Sequence, residues 1–150
     1  MNSKVFEGDR DMTISSQRPY RDALDRLRVT GLRPTRQRLA LARLLFGDCH
    51  RHVTAELLHS EATKAAIPVS LATIYNTLHQ FTAAGLLREI VVDSARCYFD
   101  TNTADHHHFF HMRTGELTDI PSAELGLSHL PPPPFGTKIN RVEIIVRIED

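Results

Sequence analysis

Residues 70–99 read SLATIYNTLHQFTAAGLLREIVVDSARCYF, and their reading decides the fold. Ser70 carries the short hydroxyl side chain that caps a helix by accepting a backbone N–H of its first turn. Ile74, Leu78 and Phe81 then fall at i, i+4 and i+7, a single stripe on a helix. Thr73, Asn76, Thr77 and Gln80 are left on the opposite side. Ala83-Ala84-Gly85 closes the pattern, since glycine suits the left-handed position just past a helix end. A helix is therefore expected over 71–84. Residues 86–92 and 97–99 are β-rich and flank a short turn at 93–96, which together read as a hairpin.

Upstream, the same logic gives three more helices. Ala23, Leu24 and Leu27 make an apolar stripe over 18–29, ended by Gly31. Arg33-Pro34-Thr35 opens a helix over 35–46 with Leu41, Leu44 and Leu45 inward, stopped by Gly47. Thr54 caps a third helix to about residue 66, with Ala55, Leu58 and Ala62 on one face and Pro68 beyond it. Short helices followed by a hairpin are the layout of a winged helix, whose helix before the hairpin enters the DNA major groove. The uncharged hydrogen-bonding face of 71–84 suits reading base edges. Residues 17–100 are thus expected to form a winged-helix DNA-binding domain, behind a polar, loose tail at 1–16.

Past Thr101-Asn102-Thr103-Ala104 the character changes. Asp105-His106-His107-His108-Phe109-Phe110-His111 holds four of the nine histidines in a β-rich setting. In a strand, alternate residues share a face at about 3.3 Å rise per residue. His106 and His108 therefore point together, His107 the other way. A pair of imidazoles presented at a sheet edge suits one metal ion or a heme iron. Further strands are expected at 116–120 and 139–148, after a first at 106–112. Between the last two, residues 130–134 form a polyproline II spacer. A three-stranded sheet of about 45 residues is too small to stand alone, so it is expected to bury its apolar face against a second copy. Residues 105–150 thus read as a dimerisation and ligand-sensing domain. The fold class is α+β: an N-terminal winged helix followed by a small α/β dimerisation domain.

Charge is unevenly spread. Residues 15–92 carry 11 basic and 6 acidic side chains, whereas residues 93–150 carry 5 and 9. A basic first part joined to an acidic second part suggests nucleic-acid contact on the first alone. The two cysteines, Cys49 and Cys97, exclude a four-cysteine zinc site within one chain and indicate no disulfide scaffold. The acidic N-terminus has no apolar core of a signal peptide, and no apolar run reaches a membrane span of roughly 18 residues. A cytoplasmic protein without membrane partners is expected. No nucleophile–base pair or phosphate loop accompanies the histidines. A strand-borne H-x-H also lacks the companion glutamate of a helical H-E-x-x-H site. An enzyme is not expected.

Four stretches in this order carry a family likeness: Gly31-Leu32-Arg33-Pro34-Thr35-Arg36-Gln37-Arg38, His52-Val53-Thr54-Ala55-Glu56, Ser70-Leu71-Ala72-Thr73-Ile74-Tyr75 and the histidine cluster. Over about residues 20–148 the chain resembles the ferric uptake regulator (Fur) family of dimeric winged-helix repressors. Within it, the chain looks most like the iron response regulator (Irr) branch of alphaproteobacteria. That branch is marked by a triple histidine followed by two phenylalanines, here His106-His107-His108-Phe109-Phe110, and by a missing cysteine zinc site.

The resemblance implies roles for particular residues. Tyr75 would pack on thymine methyls and Arg33 would enter the minor groove. Ser70 and Thr73 would touch the DNA backbone, and Arg36 and Arg38 are further phosphate candidates. Asn76 departs from the family's arginine, which shifts base preference toward adenine. A regulatory site of His52, Asp100, His106 and His108, with Asp119 beside it, would take iron, manganese or zinc. In the Irr-like reading, heme at His106, His107 and His108 modulates operator binding by a homodimer. The alternative is a repressor of the family gated by Mn²⁺ or Fe²⁺, or a peroxide sensor using the same residues.

Overall fold

Thr35, Thr54 and Ser70 each accept the backbone N–H three residues ahead, at 3.3, 3.1 and 3.1 Å, and each starts a helix. The computed structural model describes residues 11–150. The helices are α1 (Asp11–Val29), α2 (Arg36–Leu45), α3 (Ala55–Lys64) and α4 (Leu71–Ala83). They share one compact unit with β1 (His52–Val53), β2 (Arg88–Val91) and β3 (Cys97–Asp100). A second unit starts at Ala104 and holds β4 (His106–His111), β5 (Leu117–Pro121), a single 3₁₀ turn at Ser122–Glu124 and β6 (Ile145–Ile148).

Three helices of the first unit end in the same way. Leu32, Ile67 and Leu86 donate their N–H groups back to Leu27, Ala62 and Phe81, over 3.0, 2.9 and 2.9 Å. The residue before each donor is left-handed: Gly31 at φ +76°, Ala66 at +55° and Gly85 at +80°. This closure satisfies carbonyls that a helix end leaves bare. Two of the three positions hold glycine, which enters that region freely. Ala66 does not, because its Cβ crowds the carbonyl.

The stripes expected from the sequence form the core. Leu27, Leu41, Leu45, Leu58, Ile74, Leu78, Phe81 and Phe99 are fully shielded and pack as one cluster. Thr77 departs from its expected exposed placement. It is buried, and its hydroxyl donates to the Thr73 carbonyl at 2.8 Å, which removes the cost of burying it. The first sheet runs β1-β3-β2, all antiparallel. The second runs β5-β4-β6, with β4 antiparallel to β5 and parallel to β6.

Several boundaries differ from expectation. α1 begins at Asp11 instead of residue 18, while residues 1–10 of the expected tail lie outside the described residues. β1 is two residues long and exists through its pairing with β3, so no periodicity could announce it. β6 covers four residues of the ten expected, because only that stretch lies alongside β4. The histidine strand is also the middle strand of its sheet and not an edge. Among the described residues no helix is long and apolar enough to cross a membrane.

Ala66 gives a direct test of the helix-end account. Ala66→Gly is expected to stabilise the protein by about 1 kcal/mol in urea unfolding, through relief of the left-handed strain. An unchanged or lowered midpoint would contradict it.

Candidate metal centre and nucleic-acid interface

β4 sends His106, His108 and Phe110 to one face and His107, Phe109 and His111 to the other, as strand alternation demands. The first face is shielded: His106 is 4% exposed and His108 0%. Their rings sit 4.5 Å apart between centroids, tilted by 63°. β5 brings Asp119 directly opposite His108. One carboxylate oxygen, Oδ1 of Asp119, lies 3.4 Å from Nε2 of His106 and 3.5 Å from Nε2 of His108. Nδ1 of His106 lies 2.6 Å from the Ala104 carbonyl. A carbonyl only accepts, so Nδ1 carries a proton, and in the neutral ring Nε2 is left with the lone pair. That is the tautomer of a metal-ligating histidine, with its outer N–H anchored on backbone.

The first unit contains a related pair. His52 on β1 and Asp100 on β3 stand directly opposite each other, with Nε2 3.1 Å from Oδ2. Asp100 is fully buried, and its other oxygen accepts the Asn102 N–H at 2.8 Å. The carboxylate is therefore aimed by backbone before any ligand is considered. Imidazole nitrogens and carboxylate oxygens without sulfur suit Mn²⁺, Fe²⁺ or Zn²⁺.

His107 is placed differently. The Ile144 N–H donates to its Nδ1 at 3.2 Å, so the ring proton sits on Nε2. An iron reaching Nε2 would have to displace that proton and break the bond to Ile144. The ring lines a cleft of about 470 Å³ shared with Leu125, Leu127, Arg141 and Val142.

The expected DNA contacts all lie in the first unit. Tyr75 and Asn76 are exposed on α4, and Arg33 and Arg36 are exposed at the start of α2. Ser70 is committed to its capping role and also donates to Thr73 Oγ1 at 2.9 Å. Arg38 is spoken for as well. Its Nε and Nη2 donate to Gln80 Oε1 at 3.3 and 2.9 Å, and its Nη1 donates to the Arg33 carbonyl at 2.9 Å. It ties the Arg33 loop to α4.

Two neighbours of Tyr75 were missed. Glu56 on α3 accepts the Tyr75 hydroxyl at 2.7 Å. That bond holds the Glu56 carboxyl below its ordinary value and pushes the Tyr75 phenol up. His79, one turn on, stacks beside the ring at 6.5 Å and meets Phe99 edge-on at 5.6 Å. The i, i+4 spacing from Tyr75 was a readable signal for His79. Nothing in the sequence signalled the Glu56 pairing, which joins separate helices.

Residues 29–129 match the Ferric uptake regulator family. The chain belongs to that family. It is 31% identical over 111 residues to the peroxide-responsive repressor PerR of Staphylococcus aureus, covering 74% of each chain. Among solved structures, its fold matches a ferric uptake regulator from Pseudomonas aeruginosa with manganese, at TM-score 0.65 and 24% identity over 85% of this chain and 97% of that one. The Vibrio cholerae ferric uptake regulator matches at TM-score 0.66 and 20% identity, over 84% and 98%. A zinc-bound manganese uptake regulator matches at 0.61 and 21%, over 85% and 98%. Members of the Fur family are metal-responsive transcriptional regulators and not enzymes. The α+β fold, with its DNA-binding and dimerisation domains, is theirs.

The thiol on β3 yields a chemical check. Burial first, and then the Glu89 carboxylate that accepts the Cys97 S–H at 3.0 Å, push this thiol up from 9.0 to about 12. Because its folded value is raised, its contribution to stability is complete below pH 9.0 and fades as the pH climbs toward about 12. Iodoacetamide at about pH 8 should alkylate exposed Cys49 and spare Cys97 until the chain unfolds, as read by peptide mass spectrometry. Glu89→Gln should speed labelling of Cys97. Equal rates at both cysteines would contradict the placement.

Proposed function

We propose that this chain is a divalent-metal-gated transcriptional regulator that binds operator DNA as a homodimer. In this reading His52 and Asp100 of the first unit and His106, His108 and Asp119 of the second take one Mn²⁺ or Fe²⁺ ion. The observation that carries it is the trio on the second sheet: two buried imidazoles turned onto one carboxylate oxygen, with His106 held in the ligating tautomer by the Ala104 carbonyl. Five nitrogen and oxygen donors fit such an ion, and a bound ion would supply a cross-link between groups on the two units.

The chain's own residues explain how that controls DNA binding. Asp100 ends the wing strand, and three residues separate it from the second unit. Fixing Asp100 and His52 to the histidine strand would limit how the winged helix swings about that link. In a homodimer, the limit sets the spacing of two recognition helices, which must match half-sites about one DNA turn apart. Metal favours the DNA-binding form only by its difference in affinity for the two arrangements. Tyr75 and Asn76 then read bases, with Arg33 and Arg36 on the grooves and phosphates. The exposed apolar residues Phe109, Met112, Leu127, Leu130 and Phe135 support a second copy on the second unit. A cytoplasmic location follows from this role.

The Irr-like, heme-responsive reading rests on the three-histidine run and the cleft at His107. Its candidate ligands are less well disposed. His106 and His108 are shielded and engaged with Asp119, and His107 gives its Nδ1 to Ile144. The peroxide-sensing reading has the 31% identity to PerR in its favour and uses the same five residues with Fe²⁺.

The test is selection of a random duplex library on the protein with Mn²⁺, with hemin or with chelator, followed by fluorescence anisotropy on the winner. Mn²⁺ should tighten binding by about tenfold or more, as a coupling of 1–3 kcal/mol implies. His108→Ala should abolish that gain while leaving the helical signal intact. Regulation by hemin alone would overturn the metal reading in favour of heme. Peroxide-dependent loss of binding by the Fe²⁺ form, with one oxygen atom added to a histidine, would select the peroxide sensor.

A further inference from the structure

Arg88 is the buried charge that neither the DNA contacts nor the metal ligands account for. It is 4% exposed, on the second strand of the first sheet. Its place in the register explains it. Across the β2–β3 ladder Arg88 stands directly opposite Asp100, and across β1–β3 His52 stands opposite the same residue. Directly opposed residues project to one face with Cβ atoms about 4.5–5.5 Å apart. His52, Asp100 and Arg88 therefore form one row across the sheet with the carboxylate in the middle. Ile90 and Tyr98, opposed in the adjacent row on that face, are buried as well. A guanidinium in such surroundings requires an anion, and a buried carboxylate requires cations or donors.

We propose that Arg88 is the built-in counter-cation of Asp100: it holds the carboxylate in place while the site holds no ion, and its positive charge lowers the site's affinity for divalent metal. This rests on the metal reading above. Three neutral imidazoles and two carboxylates bring two negative charges, and Arg88 offsets one of them. The affinity of the site is thereby set below what its five donors alone would give, as a sensor requires if it is to release its ion. Arg88 is a positioning and tuning residue and touches no substrate.

Two variants test this. Arg88→Met keeps an apolar stem and removes the charge, whereas Arg88→Lys keeps the charge. Free Mn²⁺ is followed by electron paramagnetic resonance during titration of the metal-stripped full-length protein. Arg88→Met is expected to bind Mn²⁺ at least about tenfold more tightly than the wild type, and Arg88→Lys within about threefold of it, because charge close to the ion dominates. A purely structural arginine would give the opposite sign, with Arg88→Met folded but binding Mn²⁺ equally or less well, and that result overturns the proposal. A double-mutant cycle with Asp100→Asn, read by thermal unfolding of the metal-free protein, covers the case in which Arg88→Met is too unstable to titrate. Asp100→Asn should cost more stability with Arg88 present than in the Arg88→Met background, and additive effects overturn the coupling. A wild-type protein that binds none of Mn²⁺, Fe²⁺ or Zn²⁺ would defeat the metal reading instead, and the cycle would still decide whether Arg88 and Asp100 are partners.

Discussion

Imidazole is a polar ring, and burying one without partners costs free energy. The second unit buries two of them side by side on its central strand, which places a strong constraint on everything around them. β5 must run antiparallel in the register that sets Asp119 opposite His108. The turn at Ala104 must leave its carbonyl free to accept from His106. The opposite face of the same strand is tied down by the Ile144 N–H on His107, which anchors the approach to β6. A small sheet has few apolar contacts to spend on such a cluster.

The first unit repeats the logic with a carboxylate in place of the imidazoles. Asp100 is buried at the end of the wing, one oxygen held by backbone and the other facing His52, with Arg88 opposite on the far side. Its surroundings fix its orientation and supply its balancing charge. Around this row the helices are conventional: three side-chain caps start them, and three left-handed residues end them. That stiffness matters for function, because a helix that reads bases must transmit the position of its scaffold. Arg38 adds to it by bridging the Arg33 loop and Gln80 on α4.

Much of this was legible in the sequence wherever local chemistry decides. Thr54 and Ser70 cap as their residue types suggest, and Ile74, Leu78 and Phe81 pack as their spacing requires. Gly31 and Gly85 end their helices for the stated reason, while Ala66 does the same work without the expected residue type. What was not legible depends on partners distant in the chain. β1 exists because Asp100 and Phe99 pair with it. The Arg38–Gln80 bond joins residues 42 apart in the chain, so no local pattern announced it. Strand alternation correctly put His106 and His108 together but could not say that β4 is central and its face buried. The expectation that His52 and Asp100 group with the histidines came from family likeness and not from spacing. Arg88 had no signal at all, since its meaning lies in the register of three strands.

The central claim is that one divalent ion is held by histidine and carboxylate, without sulfur and without a porphyrin. X-ray absorption spectroscopy of the Mn²⁺-loaded, DNA-competent protein addresses it most directly. The account predicts one ion per chain in a shell of nitrogen and oxygen atoms, with the outer-shell scattering of about three imidazoles and none from sulfur. Scattering from fewer than two imidazoles, or an ion bound without saturation, would contradict it.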